Sequence, residues 1–242
     1  MTEQPIRRPL TGSCHCNNIQ YIIHLTLPHP HDPSLPLPLP MGYQQFYRCN
    51  CTTCHKMGHF HVRPVSPTHD FLLFSAPSSS RSDDEEEKSG EQEQRQRQRQ
   101  QQQQDPLSGL GDYTCGAGNL HFYFCKACGV RCFIFAGDLE AVEADVDQLD
   151  LAATPTWLQS RTRNSGSGSS SSKVKAWRPR LGGGHPDMGH YLSVNGHTID
   201  AEQGFDMREL TEKNQVRYCD CYSPEEDEVP MRYGRPQQHG SY

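Results

Sequence analysis

Leu120-His121-Phe122-Tyr123-Phe124-Cys125-Lys126-Ala127-Cys128-Gly129-Val130-Arg131-Cys132-Phe133-Ile134-Phe135 is two short, aromatic-rich apolar runs joined by C-x-x-C-G. Each run has the length and composition of a strand, and the glycine lets the chain reverse. The stretch therefore reads as a β-hairpin whose turn is the cysteine pair itself. A redox C-x-x-C belongs between a strand and a helix in a βαβ setting. Placed between two strands, the pair is instead a knuckle that turns two sulfurs toward one point. That is half of a tetrahedral zinc site, so the other half must come from elsewhere in the chain.

Cys14 and Cys16 supply it. Side-chain direction repeats every second residue in an extended segment, so a C-x-C offers both sulfurs to one face. Gly12 and Gly129 leave the backbone room beside the two pairs. Cys14, Cys16, Cys125 and Cys128 then make four thiolates at about 2.3 Å from one zinc, a structural site joining distant strands.

A third cluster, Arg48-Cys49-Asn50-Cys51-Thr52-Thr53-Cys54-His55-Lys56, brings the clustered cysteines to seven of 11. Cys49 and Cys51 share a face, and a turn through Thr52-Thr53 returns Cys54. Three thiolates with an open fourth position are the pattern of a reactive zinc, whereas a fourth ligand from His55, His59 or His61 makes the site structural. An open thiolate-rich zinc suits a sulfur substrate, because zinc takes up a thiol as thiolate near neutral pH and polarises an aldehyde oxygen. Lys56, Arg48 and Arg63 could receive substrate carboxylates. The general acid or base stays unassigned, with the three histidines as candidates by proximity. Cys115 and Cys132 read as packing residues. Cys219 and Cys221 form a further C-x-C without a partner and read as spare thiols rather than a third zinc site.

Composition bounds the rest. Of 242 residues only 33% are hydrophobic, and biased stretches account for the shortfall. Inserts at about 28–40 (proline-rich), 77–106 (Ser, acidic, then Gln/Arg) and 160–187 (Ser, Gly, Arg, Lys) read as loops or disordered segments. They interrupt a single zinc domain over 10–222, followed by a disordered tail at 223–242. The net charge of −6 is spread along the chain and argues against a nucleic-acid surface. No apolar run reaches the roughly 18 residues of a membrane span, and Met1 to Leu10 lacks a signal-peptide core. Paired cysteines in a cytosolic or nuclear protein are metal ligands before they are disulfides.

Period-two alternation at Ile19, Tyr21, Ile23 and Leu25 predicts a strand. So do Gln45 to Cys49, Phe60 to Val62, Phe71 to Phe74 and Tyr191 to Val194, the last ended by Asn195-Gly196. Leu139, Val142, Val146 and Leu149 fall at helical spacing, which predicts a helix over 139–151 stopped by Pro155. Asp206 to Glu212 reads as a short helical turn. The sum is a mostly β fold.

Three ordered boxes resemble the glutathione-dependent formaldehyde-activating enzyme family, which includes centromere protein V. Gly12-Ser13-Cys14-His15-Cys16 with Ile19 and Tyr21 looks like its opening. Cys49-x-Cys51-x-x-Cys54-His55-Lys56 is similar to its Cys-His-Cys-Ser-x-Cys-Arg/Lys box. Phe124-Cys125-Lys126-Ala127-Cys128-Gly129 is similar to its Phe-Cys-x-x-Cys-Gly box, and Val194-Asn195 through Ile199-Asp200 to a late strand. Asn17 stands where a glycine is usual, and Asn50 where a histidine is common. The resemblance implies an Mss4-like, zinc-stapled β fold with two zinc ions. Cys14, Cys16, Cys125 and Cys128 would hold the structural ion, and Cys49, Cys51 and Cys54 the catalytic one. It implies a carbon–sulfur lyase that joins formaldehyde and glutathione to S-hydroxymethylglutathione, or the reverse, so the partner would be a small thiol–aldehyde adduct. The centromere-protein branch suggests the alternative, a non-catalytic zinc-stapled interaction module.

Overall fold

Tyr21, Ile22 and Ile23 on one strand are all fully buried, so that strand must be covered on both faces. The computed structural model, which describes residues 4–32, 34–35, 42–75, 106–164, 172–221 and 231–233, shows how. The fold is mostly β and consists of two sheets among the described residues. The five-stranded sheet runs β1 (Ile6–Ser13), β2 (Ile19–Leu27), β5 (Phe71–Ser75), β10 (Lys173–Pro179), β9 (Leu139–Asp145), and every neighbouring pair is antiparallel. The eight-stranded sheet runs β13 (Met231–Tyr233), β12 (Arg217–Cys219), β3 (Gln45–Cys49), β4 (Phe60–Arg63), β11 (Leu192–Asn195), β8 (Arg131–Phe135), β7 (His121–Phe124), β6 (Gly111–Thr114). There, β12 and β3 are parallel and the other pairs antiparallel.

The main core lies between the sheets. Tyr21, Ile23, Leu25 and Phe71 meet Phe46, Phe60, Val62, Phe133, Phe135 and Val194, with the rings of Phe71 and Phe133 5.6 Å apart. On the other face of β2, Ile22 packs with Phe74, Ala176 and Leu158 under the helix Thr156–Asn164. A third cluster lies on the far face of the larger sheet and includes Tyr47, Cys49, Cys54, Ile134 and Tyr191. The alternation of β3 decides this: Phe46 points into the main core, while Tyr47 and Cys49 point away from it.

The strands expected around β2, β3, β4, β5, β11 and the cysteine hairpin are present, as is the short helix Met207–Glu212, capped by the Asp206 side chain. The helix expected over 139–151 is not. Residues 139–145 form β9, paired along its whole length with β10, and Val146–Gln148 is one 3₁₀ turn. Val142, Ala144 and Val146 alternate onto the second cluster, so period two prevails over the helical spacing. Pro155 starts a helix instead of ending one: its carbonyl accepts from the backbone N–H groups of Leu158 and Gln159.

The insert expected at 160–187 is also corrected. Its first residues belong to the helix Thr156–Asn164, and β10 runs through Lys173–Pro179; only 165–171 lie outside the described residues. The proline-rich insert at 28–40 is described at 28–32 and 34–35, without strand or helix; 33 and 36–40 lie outside the described residues, as do 77–105 of the next insert. The expected tail at 223–242 contributes β13, and its remaining residues lie outside the described ones. Among the described residues no helix is long and apolar enough to cross a membrane.

Candidate metal centres

The first centre forms where the β1–β2 turn meets the β7–β8 hairpin. Cys14 and Cys16 sit in a tight turn rather than an extended segment, closed by Asn17 N–H to the Cys14 carbonyl at 3.0 Å and Cys14 N–H to the Ile19 carbonyl at 3.0 Å. Asn17 adopts φ 61°, a left-handed conformation that asparagine tolerates better than most residues other than glycine. In the hairpin, Gly129 N–H bonds the Cys125 carbonyl at 2.8 Å, and Gly129 has φ 75°. Gly12 has a different role from the room assigned to it: the ring of Tyr21 lies over it, where a Cβ would come within 2.2 Å of Tyr21 Cζ.

The four sulfurs converge, all within 4.8 Å of one another, with Cys14–Cys16 at 3.7 Å and Cys16–Cys125 at 3.4 Å. Cys14 and Cys125 are buried, Cys128 is half-buried and Cys16 exposed. Burial, reinforced by the neighbouring thiols, pushes Cys14 up to about 12. For Cys128, burial also acts upward, but bonds from the Val130 and Cys16 backbone and the neighbouring thiols bring it down to about 6. Sulfurs packed this closely cannot all lose their protons unaided, and a bound dication reverses that balance. The donor set therefore suits a soft-ligand metal such as zinc. Cys132 is fully buried behind this centre in the main core, as a packing residue should be.

The second centre lies on the far face of the larger sheet. Cys49 ends β3, and Cys51 is the N-cap of helix α1 (Thr52–Met57), its Sγ accepting the Cys54 backbone N–H at 3.4 Å. The expected turn through Thr52-Thr53 is thus the first turn of a helix. Gly58, at φ 60°, ends it and hands the chain to β4. Cys49, Cys51 and Cys54 lie within 4.8 Å of one another; Cys49 and Cys54 are buried and Cys51 half-buried.

Of the three candidate histidines, His61 is the one whose ring contacts this trio among the described residues. It stands beside Tyr47 in the β3–β4 register and stacks on it, centroids 4.1 Å apart and planes 7° from parallel. Its Nε2 lies 3.3 Å from Cys54 Sγ and its Nδ1 2.9 Å from Ser193 Oγ. Burial, with His59 and Arg63 nearby, depresses its pKa well below the usual value, so the ring is neutral. The neighbouring Cys49 and Cys51 thiols and burial push Cys54 up, so it is a thiolate only on a bound metal; in that state the neutral ring would carry its proton on Nε2 and accept from Ser193 at Nδ1. His61 is not grouped with all three sulfurs as a ligand would be. His59 is buried and His55 exposed. Arg48 is held over the Phe60 ring at 5.1 Å and Arg63 over Tyr191 at 4.5 Å, which leaves exposed Lys56 as the cation on α1.

The expectation that Cys219 and Cys221 have no partner is overturned. The parallel pairing of β12 sets Cys219 opposite Cys49, and Cys221 Sγ stands 3.6 Å from Cys49 Sγ. Cys49, Cys219 and Cys221 form a second trio within 4.8 Å. No spacing in the sequence signals this, since the partner lies on a strand far along the chain. Cys115 is half-buried beside α1, its sulfur 3.6 Å from Thr53 Oγ1. Both centres can hold a metal ion.

No family model and no curated protein matches the chain. Among solved structures, a Rhodobacter sphaeroides protein from the Northeast Structural Genomics effort is similar at 13% identity, with 83% of this chain and 94% of that chain covered and a TM-score of 0.33. A likeness of that size identifies neither a family nor an activity.

Proposed function

We propose that the protein is a zinc-dependent carbon–sulfur lyase acting on glutathione–aldehyde adducts, with Cys14, Cys16, Cys125 and Cys128 as its structural centre and Cys49, Cys51 and Cys54 as its reactive one. The observation that carries the reading is the asymmetry between the centres. One gathers four cysteines at the junction of the two sheets, and the other gathers the C-x-C-x-x-C trio with Cys51 half-buried at a helix N-terminus. Glutathione and formaldehyde themselves come from the resemblance of the three boxes.

A zinc ion on the trio would supply a Lewis acid that takes up a thiol as thiolate and polarises an aldehyde oxygen. The chain's residues do the remaining work. In the synthetic direction a sulfur–carbon bond forms and the thiol proton ends on the aldehyde oxygen; the reverse returns it to sulfur. With Cys54 on the metal as thiolate, His61 Nε2–H would donate to its sulfur, and the Tyr47 stack fixes the plane of that ring. Lys56 is the exposed cation available to a substrate carboxylate.

The experiment is an NMR assay of formaldehyde plus glutathione with the intact chain, with and without chelator. Acceleration that chelator abolishes and Cys51→Ser removes is expected; a rate equal to the spontaneous reaction overturns the lyase. One observation favours a second reading, a non-catalytic zinc-stapled interaction module: Cys221 Sγ stands 3.6 Å from Cys49 Sγ, from where a side-chain rotation would bring it to the fourth position. In that case the same assay shows no acceleration while two zinc ions remain bound.

A further inference from the structure

Beside Cys49 the chain brings together more thiols than a three-cysteine centre needs. The two trios share Cys49, so five sulfurs, from Cys49, Cys51, Cys54, Cys219 and Cys221, form one connected group. Two sulfurs on one zinc, at about 2.3 Å each, stand roughly 3.8 Å apart at the tetrahedral angle. Cys49 and Cys221 are 3.6 Å apart, close to the 3.7 Å and 3.4 Å of paired sulfurs in the first centre. The Cys219–Cys221 separation is 4.0 Å.

This juxtaposition is built, not incidental. Asn50, between two cysteines of the trio, grips the far C-x-C at three points. Its side-chain amide donates to Asp220 Oδ1 at 2.7 Å, and its side-chain oxygen accepts the Cys221 backbone N–H at 2.6 Å. Its backbone N–H bonds the Cys219 carbonyl at 3.1 Å. Asn50 and Asp220 are each 5% exposed, so these bonds are made away from water, where they hold position most firmly. The parallel register of β12 on β3 aligns Cys219 with Cys49, and Cys221 follows just past the end of the strand.

We propose that Cys221 is the fourth thiolate of the Cys49–Cys51–Cys54 centre, with Cys219 beside it and Asn50 as the residue that positions the pair. Cys221 lies within 4.8 Å of Cys49 and Cys219 but is not grouped with Cys51 and Cys54, so closing the four sulfurs around one ion takes a rotamer adjustment. Cys221, exposed at the end of the strand pairing, is the side chain able to make it. The assignment bears on the lyase reading, because a centre closed by Cys221 reacts only when an incoming thiol displaces that sulfur and passes its proton to it; the test below reads ligation alone, so its failure and the failure of the lyase assay are distinct. A thiol entering this centre would displace one thiolate by another, with no change in net charge at the ion.

The test uses the full chain loaded with cobalt(II), with metal content measured by mass spectrometry. Wild type is expected to hold two ions per chain. In Cys221→Ser the sulfur-to-cobalt absorbance should fall by about one-eighth, for loss of one of eight metal–sulfur bonds. One ion should also pass to a competing chelator at least about tenfold faster. Asn50→Ala, which keeps every thiol, should show the faster release as well. Unchanged absorbance and release in Cys221→Ser overturns the proposal. So does a wild-type count of three ions, which would mean that Cys49, Cys219 and Cys221 hold one of their own. Should Cys221→Ser fail to fold, Asn50→Ala decides, and release equal to wild type overturns the assignment.

Discussion

His61 Nε2 lies 3.3 Å from Cys54 Sγ, and the contact is fully enclosed. Groups that orient a metal-binding side chain are typically worth 10–100-fold in metal affinity. His61→Phe keeps the flat ring on Tyr47 but removes the N–H, and is expected to weaken one of the two metal sites by about 10–100-fold. His61→Gln, which retains a donor, should recover part of the loss. Chelator competition on the zinc-loaded protein reads both changes, and equal release from His61→Phe and wild type would show that the contact does not orient Cys54.

Removal of the first metal should unfold the domain. A structural zinc in finger peptides contributes roughly 10–16 kcal/mol of apparent binding energy at pH 7, comparable to the whole net stability of a typical domain. Chelation, or Cys128→Ser, is expected to abolish the cooperative thermal transition seen by circular dichroism. Cys115→Ser, outside both four-cysteine sets, should melt within a few degrees of wild type.

Gly12→Ala is expected to destabilise by about 1–3 kcal/mol through overpacking, since the new methyl meets the Tyr21 ring. Tyr21 is fully buried and tied by its hydroxyl to Thr198 at 2.8 Å, so it has little room to yield. A lower urea midpoint with an unchanged slope would mark the loss as one of stability rather than compactness.

Acid should destabilise the fold through two histidines, His59 buried and His29 half-buried, as well as through metal release. Burial lowers His29 to about 4 and His59 to about 3, against an ordinary value near 6.5. Between pH 6.5 and about 4 both rings are neutral when folded and protonated when unfolded. The unfolded state therefore binds more protons, and stability falls as pH falls, by about 1.4 kcal/mol per pH unit for each ring. Below about 4 only His59 still contributes, until it titrates near 3. His29→Gln should make the pH dependence of unfolding shallower by one proton over that window. Metal release is common to both proteins, so the difference isolates the ring; parallel profiles would refute its share.

Local patterns carried most of the fold. The aromatic runs around Cys125 and Cys128, the alternation of Ile19 to Leu25 and the strand Gln45 to Cys49 were legible because each signal lies within one element. Residues 139–149 imitate a helical stripe because Leu139 packs on the main core while Val142 and Ala144 pack on the second cluster, which places apolar positions on two faces of one strand. Lys173-Val174-Lys175-Ala176-Trp177 alternates as a strand should, but it adjoins a Ser/Gly run that dominates the composition. The partition of Cys14, Cys16, Cys125 and Cys128 from Cys49, Cys51 and Cys54 could be read from spacing alone. The place of Cys219 and Cys221 could not, because it depends on a parallel pairing, and only the fold aligns such strands. Asn50, a departure from the box it resembles, turned out to be the residue that holds them.

The position of β12 also has a consequence for how the chain is made. Asn50 and Asp220 are 170 residues apart in sequence, yet β12 is what covers the side of β3 away from β4. At roughly 5–20 residues per second, synthesis leaves that side of β3 bare for about 10–30 seconds. An uncovered strand edge recruits other chains, and this one ends at Cys49, with Cys51 and Cys54 just beyond it. The newborn protein must therefore pass through an interval in which its larger sheet is open at the cysteine-bearing edge, and shielding by chaperones and a reducing environment would matter most then.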